Sequence, residues 1–242
     1  MLEPDARKRA RPVLRGPGRR KVLGLPCELV GDFKNGGREW QPKGQPTPVQ
    51  VYDFVNLAIG KATPYGIYDV TRNEGWVTVG SDHDTAPLAV ATIRRWWQER
   101  GRAQYPTARD LYIVADGGGS NGSRVRLWKA ELQRFATAER LRIHVSHLPP
   151  GTSKWNKIEH RLFSVISRNW RGRPLTTYET IVECIAHTET TTGLTVHAEW
   201  DPTPYPTGVQ VDAADWAALR LEPHTFHGEW NDTIHPQSDS II

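Results

Sequence analysis

The feature that most constrains this chain is a short apolar run, Leu111 to Ala115 (LYIVA), which ends in Asp116. A run of this length with almost no polar residue is typical of a β-strand that is covered on both faces of a sheet. The amphipathic segment PLAVATIRRWWQERG precedes it and stops at Gly101, and a second amphipathic segment from Val125 to Phe135 follows. The run therefore predicts the middle layer of an α/β domain.

The rest of the chain fits the same architecture. Ala62 to Val70 and Gly75 to Ser81 flank the turn sequence TRNE and predict a β-hairpin. Further predicted elements are a strand at Val49 to Phe54, a helix capped at Asp84 or Thr85, a strand at Arg142 to Ser146, a helix with a Thr176/Glu179 capping box, a strand at Leu194 to Trp200 and a short helix around Trp216. We predict an α/β fold with a mixed β-sheet flanked by helices.

The stretch from Leu148 to Trp170 predicts another helix. The sequence Pro-Pro-Gly ends the preceding strand, and Thr152 or Ser153 is a suitable N-cap. The apolar stripe of this helix consists of Trp155, Leu162, Phe163, Ile166 and Trp170. Glu159 lies on the same face as the stripe, where a carboxylate is costly to bury unless it is paired or binds a metal ion.

Asp116 and Glu159 together form the candidate site. In open α/β sheets, ligands bind beyond the carboxyl ends of the strands, and three glycines after Asp116 leave no side chain between its carboxylate and a large ligand. The two carboxylates suit Mg²⁺ or Mn²⁺, and with a third they suit two ions about 4 Å apart that promote phosphodiester displacement. Two simpler interpretations remain open: a plain Asp-Gly turn, and a surface ion pair of Glu159 with a Lys or Arg.

Three histidines, His144, His147 and His160, offer an alternative metal site or a general base. His144 alternates away from Ile143 and Val145, and no HExxH spacing occurs, so the sequence disfavours a catalytic metal ion on these residues. We expect His147 or His160 to support the carboxylates instead, as a partner of the metal ligands.

Basic residues are concentrated near the N-terminus. Up to Lys21 there are eight basic residues and two acidic ones, whereas the remainder has a small negative net charge. We interpret residues 1–24 as a disordered basic leader that is not native to the fold, and residues 25–242 as one folded domain. No apolar run approaches the length of a membrane span, and Cys27 and Cys184 form neither a disulfide framework nor a zinc ligand set, which fits the cytoplasm.

Lysines and arginines surround Glu159 in the sequence. The set comprises Lys154, Lys157, Arg161, Arg168, Arg171 and Arg173. Side chains of this type contact the phosphate backbone of nucleic acids, so the set predicts DNA as a partner. For Trp155 and Trp170 we prefer a place in the core to stacking on bases.

Seven longer strings carry a resemblance to a known family: GDFKNGGREW, PYGIYD, GWVTVGSDHDT, IRRWW, ADGGGSNGSRVRLWK, PPGTSKWNKIEHRLFSVISRNWRG and FHGEWN. They resemble the ISAzo-type bacterial insertion-sequence transposases, a branch of the DDE transposases with a ribonuclease-H-like catalytic core, from about Glu28 to Pro236. The resemblance implies magnesium-dependent cleavage of the element's DNA ends and joining of a 3′ hydroxyl to target DNA, by a homo-oligomer on bacterial DNA. By position, Asp116 matches the family's second acidic residue and Glu159 its third.

The chain departs from the family pattern at the first acidic residue. The family has an Asp on a strand just before the segment that matches Glu28 to Gly31, but Lys21 to Cys27 reads KVLGLPC and contains no acid. We therefore expect that the start of the reading frame is truncated or frameshifted, with Asp53 as the best substitute because it ends a predicted strand. Weaker substitutes are Asp69, Asp82 and Asp84.

Three hypotheses follow from this departure. The first is an active transposase domain in which Asp53 completes the metal site. The second is a catalytically inactive remnant that at most binds DNA or intact transposase. The third is a related nuclease that cleaves DNA without joining strands. With two carboxylates in place of three, a second metal ion would be held poorly, and we expect little or no strand transfer.

Overall fold

A computed structural model of the chain describes Leu25 and residues 27–51, 59–149, 151–152 and 155–237. The described strands are β1 (Glu28–Val30), β2 (Gly60–Asp69), β3 (Glu74–Gly80), β4 (Asp110–Asp116), β5 (Arg142–Leu148), β6 (Thr195–Asp201), β7 (Leu221–Pro223) and β8 (Asn231–Ile234). The helices are α1 (Ala86–Trp96), α2 (Arg102–Gln104), α3 (Arg126–Glu139), α4 (Ser164–Asn169), α5 (Tyr178–Ala186) and α6 (Ala213–Ala217), with π-helical turns at Trp97–Gly101 and Glu159–Phe163. The chain is thus mixed α/β, as predicted, and none of the described helices is long and apolar enough to cross a bilayer.

The first sheet has the strand order β1-β2-β3-β6. β2 and β3 form the predicted antiparallel hairpin, whose turn is held by Asp69: its Oδ1 accepts the backbone N–H groups of Thr71 (2.9 Å) and Arg72 (3.1 Å). Asn73 supplies the positive φ, 55°, that this tight turn requires. β6 then pairs with β3 in parallel, so that a strand from late in the chain completes a sheet that begins early in it.

The second sheet has the strand order β4-β5-β8-β7. β4 and β5 are parallel, and Asp116 pairs with Leu148 where both strands end. β8 adds antiparallel to β5, and β7 adds antiparallel to β8. The sequence predicted one mixed sheet, but the described strands form two. β7 and β8 were missed because three or four residues are too few to show a periodicity.

Helices cover the two sheets unequally. α1 and α3 pack on one face of both sheets around Trp76, Trp128 and Phe135, and α4 and α5 pack on the opposite face of the first sheet. On the second sheet that opposite face is more open, since Tyr112 is 64% exposed and Val114 is 51% exposed. The prediction that β4 is covered on both faces is therefore wrong, because no described helix packs over these two side chains.

Helix ends differ from the predictions by a few residues. Thr85 caps α1 as predicted, by accepting an N–H of the first turn. The helix does not stop at Gly101, because this residue keeps a helical φ of −57° and the chain continues through the π-helical turn to Gln104. Thr177 rather than Thr176 caps α5.

The predicted helix at Leu148 to Trp170 begins later than expected, at Lys157. Ser153, one of its two proposed N-caps, lies outside the described residues. Most of the apolar stripe is buried, including Trp170 with 4% exposure, but Trp155 is 68% exposed. The assignment of Trp155 to the core is wrong, because Trp155 precedes the helical part of this segment.

Two further predictions fall wholly or partly on residues that the structure does not describe. One is the basic leader at residues 1–24. The other is the second half of the predicted strand at Val49 to Phe54, which contains Asp53. In the described first half, residues 49–51, Gln50 forms an isolated parallel bridge with Phe33.

Candidate functional site

Asp116 is the last residue of β4, and its side chain is half-buried. The chain leaves the strand through Gly117, where a Cβ would lie 3.0 Å from the carbonyl oxygen of Leu148, which is tight for any side chain. Gly119 follows with a φ of +79°, which favours glycine. The glycines therefore let the chain turn sharply after β4 and leave Asp116 at the edge of a cleft.

Glu159 is the first residue of a π-helical turn, a rare feature that often marks functional sites. Leu162 and Phe163 in the same turn press against the backbone of the first sheet at Gly75 and Gly66, where an added Cβ would overlap them. Two glycines in the β2–β3 hairpin thus allow this turn to approach the sheet closely. That approach sets the position of Glu159.

Asn156 connects Asp116 to the turn that carries Glu159. It is buried, precedes Glu159 by one helical turn, and donates from Nδ2 to Asp116 Oδ1 over 3.0 Å. The structure thus brings together the two acidic residues that the sequence singled out, although they lie on a strand and a helical turn far apart in the chain.

The electrostatics of this pair are those of an uncompensated negative charge. Burial raises the pKa of Glu159, and the nearby charge of Asp116 raises it further, against a smaller opposing effect of His160. Burial also raises the pKa of Asp116, against the hydrogen bond from Asn156 and the charge of His147. Within the described residues, neither carboxylate has an ion pair with Lys or Arg, and the buried Glu159 Oε1 has no hydrogen-bond partner. Such an atom is costly unless a cation or donor reaches it.

Two of the three histidines lie close to the pair. His147 is buried on β5, with Nε2 2.8 Å from the carbonyl oxygen of Asn121 and Nδ1 3.2 Å from that of Trp230. His147 lies near Asp116 and His160 near Glu159, and their role as supporting partners stays a prediction. His144 lies apart from the pair and contacts Asp110 and Thr233.

A cleft of about 880 Å³ separates β2 from β4. Its walls are formed by consecutive residues of both strands, and Asp116, Asn156 and Lys157 also line it. The acidic pair therefore borders a groove that is large enough to admit part of a ligand, rather than a closed pocket in the core.

No third acidic ligand is placed by the described residues. Asp53 lies outside them, so its role stays a prediction. Among the described side chains, no group of three His, Cys, Asp or Glu is arranged to hold a metal ion. Of the weaker substitutes, Asp82 contacts His83, and Asp69 holds the hairpin turn and accepts the hydroxyl of Tyr105 over 2.7 Å.

Asp84 lines the same cleft as Asp116, as does Asp69, and it accepts a hydrogen bond from Ser120. Burial raises the pKa of Tyr65, and the charges of Asp84 and Asp116 both raise it further, so both carboxylates lie near this hydroxyl. The sequence analysis placed Asp84, with Asp69 and Asp82, below Asp53, which ends a predicted strand.

The structure separates the basic residues that the sequence grouped together. Lys154 lies outside the described residues. Lys157 is exposed and lines the cleft beside Asp116, and Arg161 is exposed on the next turn of the helix. Arg171 lies beyond the far end of α4, in a shallow pocket with Asn35 and Gly37. Only Lys157 of the described set is a wall residue of the cleft.

The described residues thus form a mixed α/β domain in which a strand-end aspartate lies near a glutamate of a helical turn. The chain belongs to a DDE transposase family: the family model described as Rhodopirellula transposase DDE domain matches residues 23–236. The resemblance seen in the sequence is confirmed, and the match begins at Leu23, a few residues before Glu28. Comparisons with curated proteins and with solved structures gave no significant match.

Sequence reasoning missed Asn156, the residue that connects the pair. One signal was available, because Asn156 precedes Glu159 by three residues and a polar side chain there shares the face of that glutamate. No sequence pattern predicted the π-helical turn. Its Leu162 and Phe163 pack against Gly75 and Gly66, which are distant in the sequence.

Proposed function

We propose that this chain is the catalytic domain of a DNA transposase, with a ribonuclease-H-like fold, which cleaves the ends of an insertion sequence and transfers the strands to target DNA with Mg²⁺ or Mn²⁺. One observation carries the proposal: Asp116 and Glu159 form a half-buried pair without a described cation beside an open cleft. Membership of a DDE transposase family supports it.

The residues present fit a divalent cation at this pair. Carboxylate oxygens are the ligands that Mg²⁺ and Mn²⁺ prefer, and Glu159 Oε1 is a buried oxygen without a described hydrogen-bond partner. Asp116 and Glu159 would hold the ion. When bound, it would supply charge stabilisation at a phosphodiester and activation of a water or hydroxyl group.

The remaining side chains position the two ligands. Asn156 orients Asp116 through its 3.0 Å hydrogen bond, which leaves the second carboxylate oxygen available. The ring of His147 is fixed between the carbonyl groups of Trp230 and Asn121, behind Asp116. Leu162 and Phe163 exclude water from the side of Glu159 that faces the first sheet.

DNA is the proposed partner, reached through basic side chains at the rim of the cleft. Lys157 would contact a phosphate next to the acidic pair, whereas Arg171 is too far along the helix to contact the same one. Removing one lysine–phosphate contact reduces the steepness of log affinity plotted against log salt concentration by about 1. We expect this reduction for Lys157→Ala, measured by fluorescence anisotropy with element-end DNA.

A metal-dependent cleavage assay tests the proposed function. The substrate is a supercoiled plasmid that carries the element ends, incubated with the chain and Mn²⁺, Mg²⁺ or Ca²⁺. We expect nicking with the first two ions and a loss of at least about 10²-fold in Asp116→Ala and Glu159→Ala, since removing a metal-binding carboxylate removes charge stabilisation of the transition state. Glu183→Gln is the matched control, because Glu183 is exposed on α5 and is not a cleft residue.

The outcomes separate the three hypotheses. Nicking together with joined product supports the transposase. Nicking without joined product supports a nuclease. No nicking by the folded parent chain overturns the enzyme proposal, and retained DNA binding would then support an inactive remnant, which the absence of an acidic residue from the sequence Lys21 to Cys27 favours.

A further inference from the structure

The helix that carries Glu159, residues 157–169, has a basic outer face. Three exposed cations recur on it at the i, i+4 and i+11 spacing of one helix face, and a fourth follows in the turn after α4. These residues, which we call the basic helix face, are Lys157, Arg161, Arg168 and Arg171. The segment from Lys157 to Arg171 contains one acidic residue, Glu159, which is half-buried.

The basic helix face has no carboxylate to balance it within the part of the chain that the structure describes. None of its residues forms an ion pair there, whereas the nearby Arg173 pairs with Glu39, with Nε 2.8 Å from Oε1. An ordinary solvated helix face carries charges of both signs, which pair along it. A row of cations without acidic neighbours instead attracts a polyanion from solution.

A loop is locked onto the far end of this face. Asn35 donates from Nδ2 to the carbonyl oxygen of Trp170 over 3.0 Å, and the N–H of Gly172 donates to the carbonyl oxygen of Gly36 over 2.9 Å. Gly172 has a φ of +79°, and a Cβ there would overlap the backbone of Arg38. Because glycine allows this close approach, the loop is fixed against the end of α4.

The loop and the helix end border a shallow pocket of about 290 Å³. Arg168 and Arg171 line it from the helix side, and Asn35 and two glycines line it from the loop side. None of the wall residues that the structure describes is acidic. Guanidinium groups donate paired hydrogen bonds that match a phosphate group, and glycine walls leave its approach open. The pocket is therefore suited to one phosphate group.

The basic helix face connects this pocket to the acidic pair. Lys157, at its start, lines the cleft beside Asp116, and Arg171, at its end, lines the pocket. At a rise of about 1.5 Å per residue, the two ends are about 21 Å apart. One strand of duplex DNA advances about 3.4 Å per nucleotide, so the face spans about six nucleotides.

We propose that the basic helix face and its pocket form a second DNA-backbone site, which holds the duplex on one side of the acidic pair. A phosphate lies in the pocket between Arg168 and Arg171, about six nucleotides from the phosphate at Lys157. This inference rests on the proposed function only in taking DNA as the polyanion. A free phosphate compound has the same chemistry, and the experiment separates these two sources.

The salt dependence of DNA affinity tests the proposal. Fluorescence anisotropy with a duplex of about 30 base pairs, in EDTA, measures binding without any metal-dependent cleavage. We expect Arg168→Ala/Arg171→Ala to reduce the steepness of log affinity against log salt concentration by about 2, and to weaken binding at least about tenfold at roughly 50 mM salt. Arg100→Ala/Arg109→Ala is the matched control, because both arginines are exposed and precede β4, whose far end carries Asp116.

A footprint locates the second site on the DNA. Hydroxyl-radical cleavage of element-end DNA bound to the parent chain should show protected positions that Lys157→Ala exposes, and others that Arg168→Ala/Arg171→Ala exposes. The two sets should lie about six nucleotides apart. Arg168→Lys/Arg171→Lys keeps both charges and should therefore keep most of the steepness.

Every result counts for or against the second site. Unchanged steepness in Arg168→Ala/Arg171→Ala overturns it, and so does an equal change in the control pair. A rise in melting temperature with inorganic phosphate that this variant loses, without a change in DNA steepness, assigns the pocket to a free anion and also overturns it. If the double variant fails to fold, the single variants Arg168→Gln and Arg171→Gln decide, each with an expected reduction of about 1.

The proposed function fails separately from this inference. No nicking by the parent chain, with the steepness effect intact, sinks the catalytic proposal alone. Nicking with unchanged steepness sinks the second DNA-backbone site alone.

Discussion

Two pairs of acidic residues in this molecule each include the last residue of a β-strand. They differ in whether a basic side chain of the protein neutralises them. Asp116 ends β4 and lies near Glu159, and Asp201 ends β6 and lies near Glu199. Arg95 of α1 joins the second pair, with Nη2 2.7 Å from Asp201 Oδ2 and Nη1 3.1 Å from Glu199 Oε1. Among the described residues, no arginine or lysine does the same for the first pair.

The pKa values record this difference. Burial alone would raise the pKa of Asp201, but hydrogen bonds from Thr203, Tyr205 and Arg95 outweigh it and lower the pKa. Burial also raises the pKa of Asp116, and the single hydrogen bond from Asn156 does not reverse it. A strand-end aspartate is thus structural where the protein supplies its own cation. Where it does not, as at Asp116 and Glu159, we propose a site for a cation from solution.

The largest effect should follow from removing the internal cation. Arg95→Met leaves Asp201 buried and negatively charged, which costs about 3–5 kcal/mol for a fully buried pair. Because Arg95 keeps 32% of its side chain exposed, we expect about 2–3 kcal/mol. Urea unfolding measures this change. Arg100→Met, at an exposed position beyond the end of α1, is the control, and a loss below about 1 kcal/mol for Arg95→Met would contradict the structural assignment.

The next effect concerns the pair without an internal cation. Adding Mn²⁺ in excess should stabilise the folded chain by about 1–2 kcal/mol, seen as a rise of roughly 2–6 °C in melting temperature. Glu159→Gln should remove most of this rise, because it removes one charged ligand. Glu183→Gln should keep it. An equal rise in all three chains would place the binding of Mn²⁺ elsewhere.

The comparison also explains what the sequence could predict. Asp116 was found because an apolar run ends at it, and Glu159 because it lies on the same helix face as apolar residues. Both signals are local. The cation that separates the two pairs is not local, since Arg95 and Asp201 are 106 residues apart. The hairpin, α1 and β5 were predicted for the same reason as Asp116, whereas the division into two sheets depends on strand pairings that no local pattern encodes.

A smaller effect should follow from removing a charge from the pair at Asp116. Burial raises the pKa of Glu159 most, and the charge of Asp116 raises it further; Asp116→Asn removes that charge and keeps an acceptor for Asn156. We expect a gain of roughly 0.5–1 kcal/mol in unfolding free energy at pH 7 without divalent ions, after discounting for solvent screening of half-exposed groups. Asp212→Asn is a poor control because Asp212 caps α6, so Asp215→Asn is preferred. Destabilisation by Asp116→Asn would show that Asp116 already has a neutralising partner.

The smallest expected effect is the pH dependence of the gain in unfolding free energy from Asp116→Asn, and its direction is fixed by the pKa shifts. A carboxyl group whose folded pKa is raised destabilises the folded state fully above that pKa, and the penalty disappears below the unfolded value of about 4. The gain from Asp116→Asn should therefore be largest at pH 7 and shrink towards zero as the pH falls through about 4. Loss of Arg95 has the opposite origin: the pKa of Asp201 is lowered, so its stabilising interactions are fully present above the unfolded value of about 4 and are lost progressively as the pH falls from there through the folded pKa. Urea unfolding at several pH values measures both effects. The change in unfolding free energy should vary with pH mainly above about 4 for Asp116→Asn and mainly below about 4 for Arg95→Met. Parallel pH profiles would mean that the two pairs are electrostatically alike.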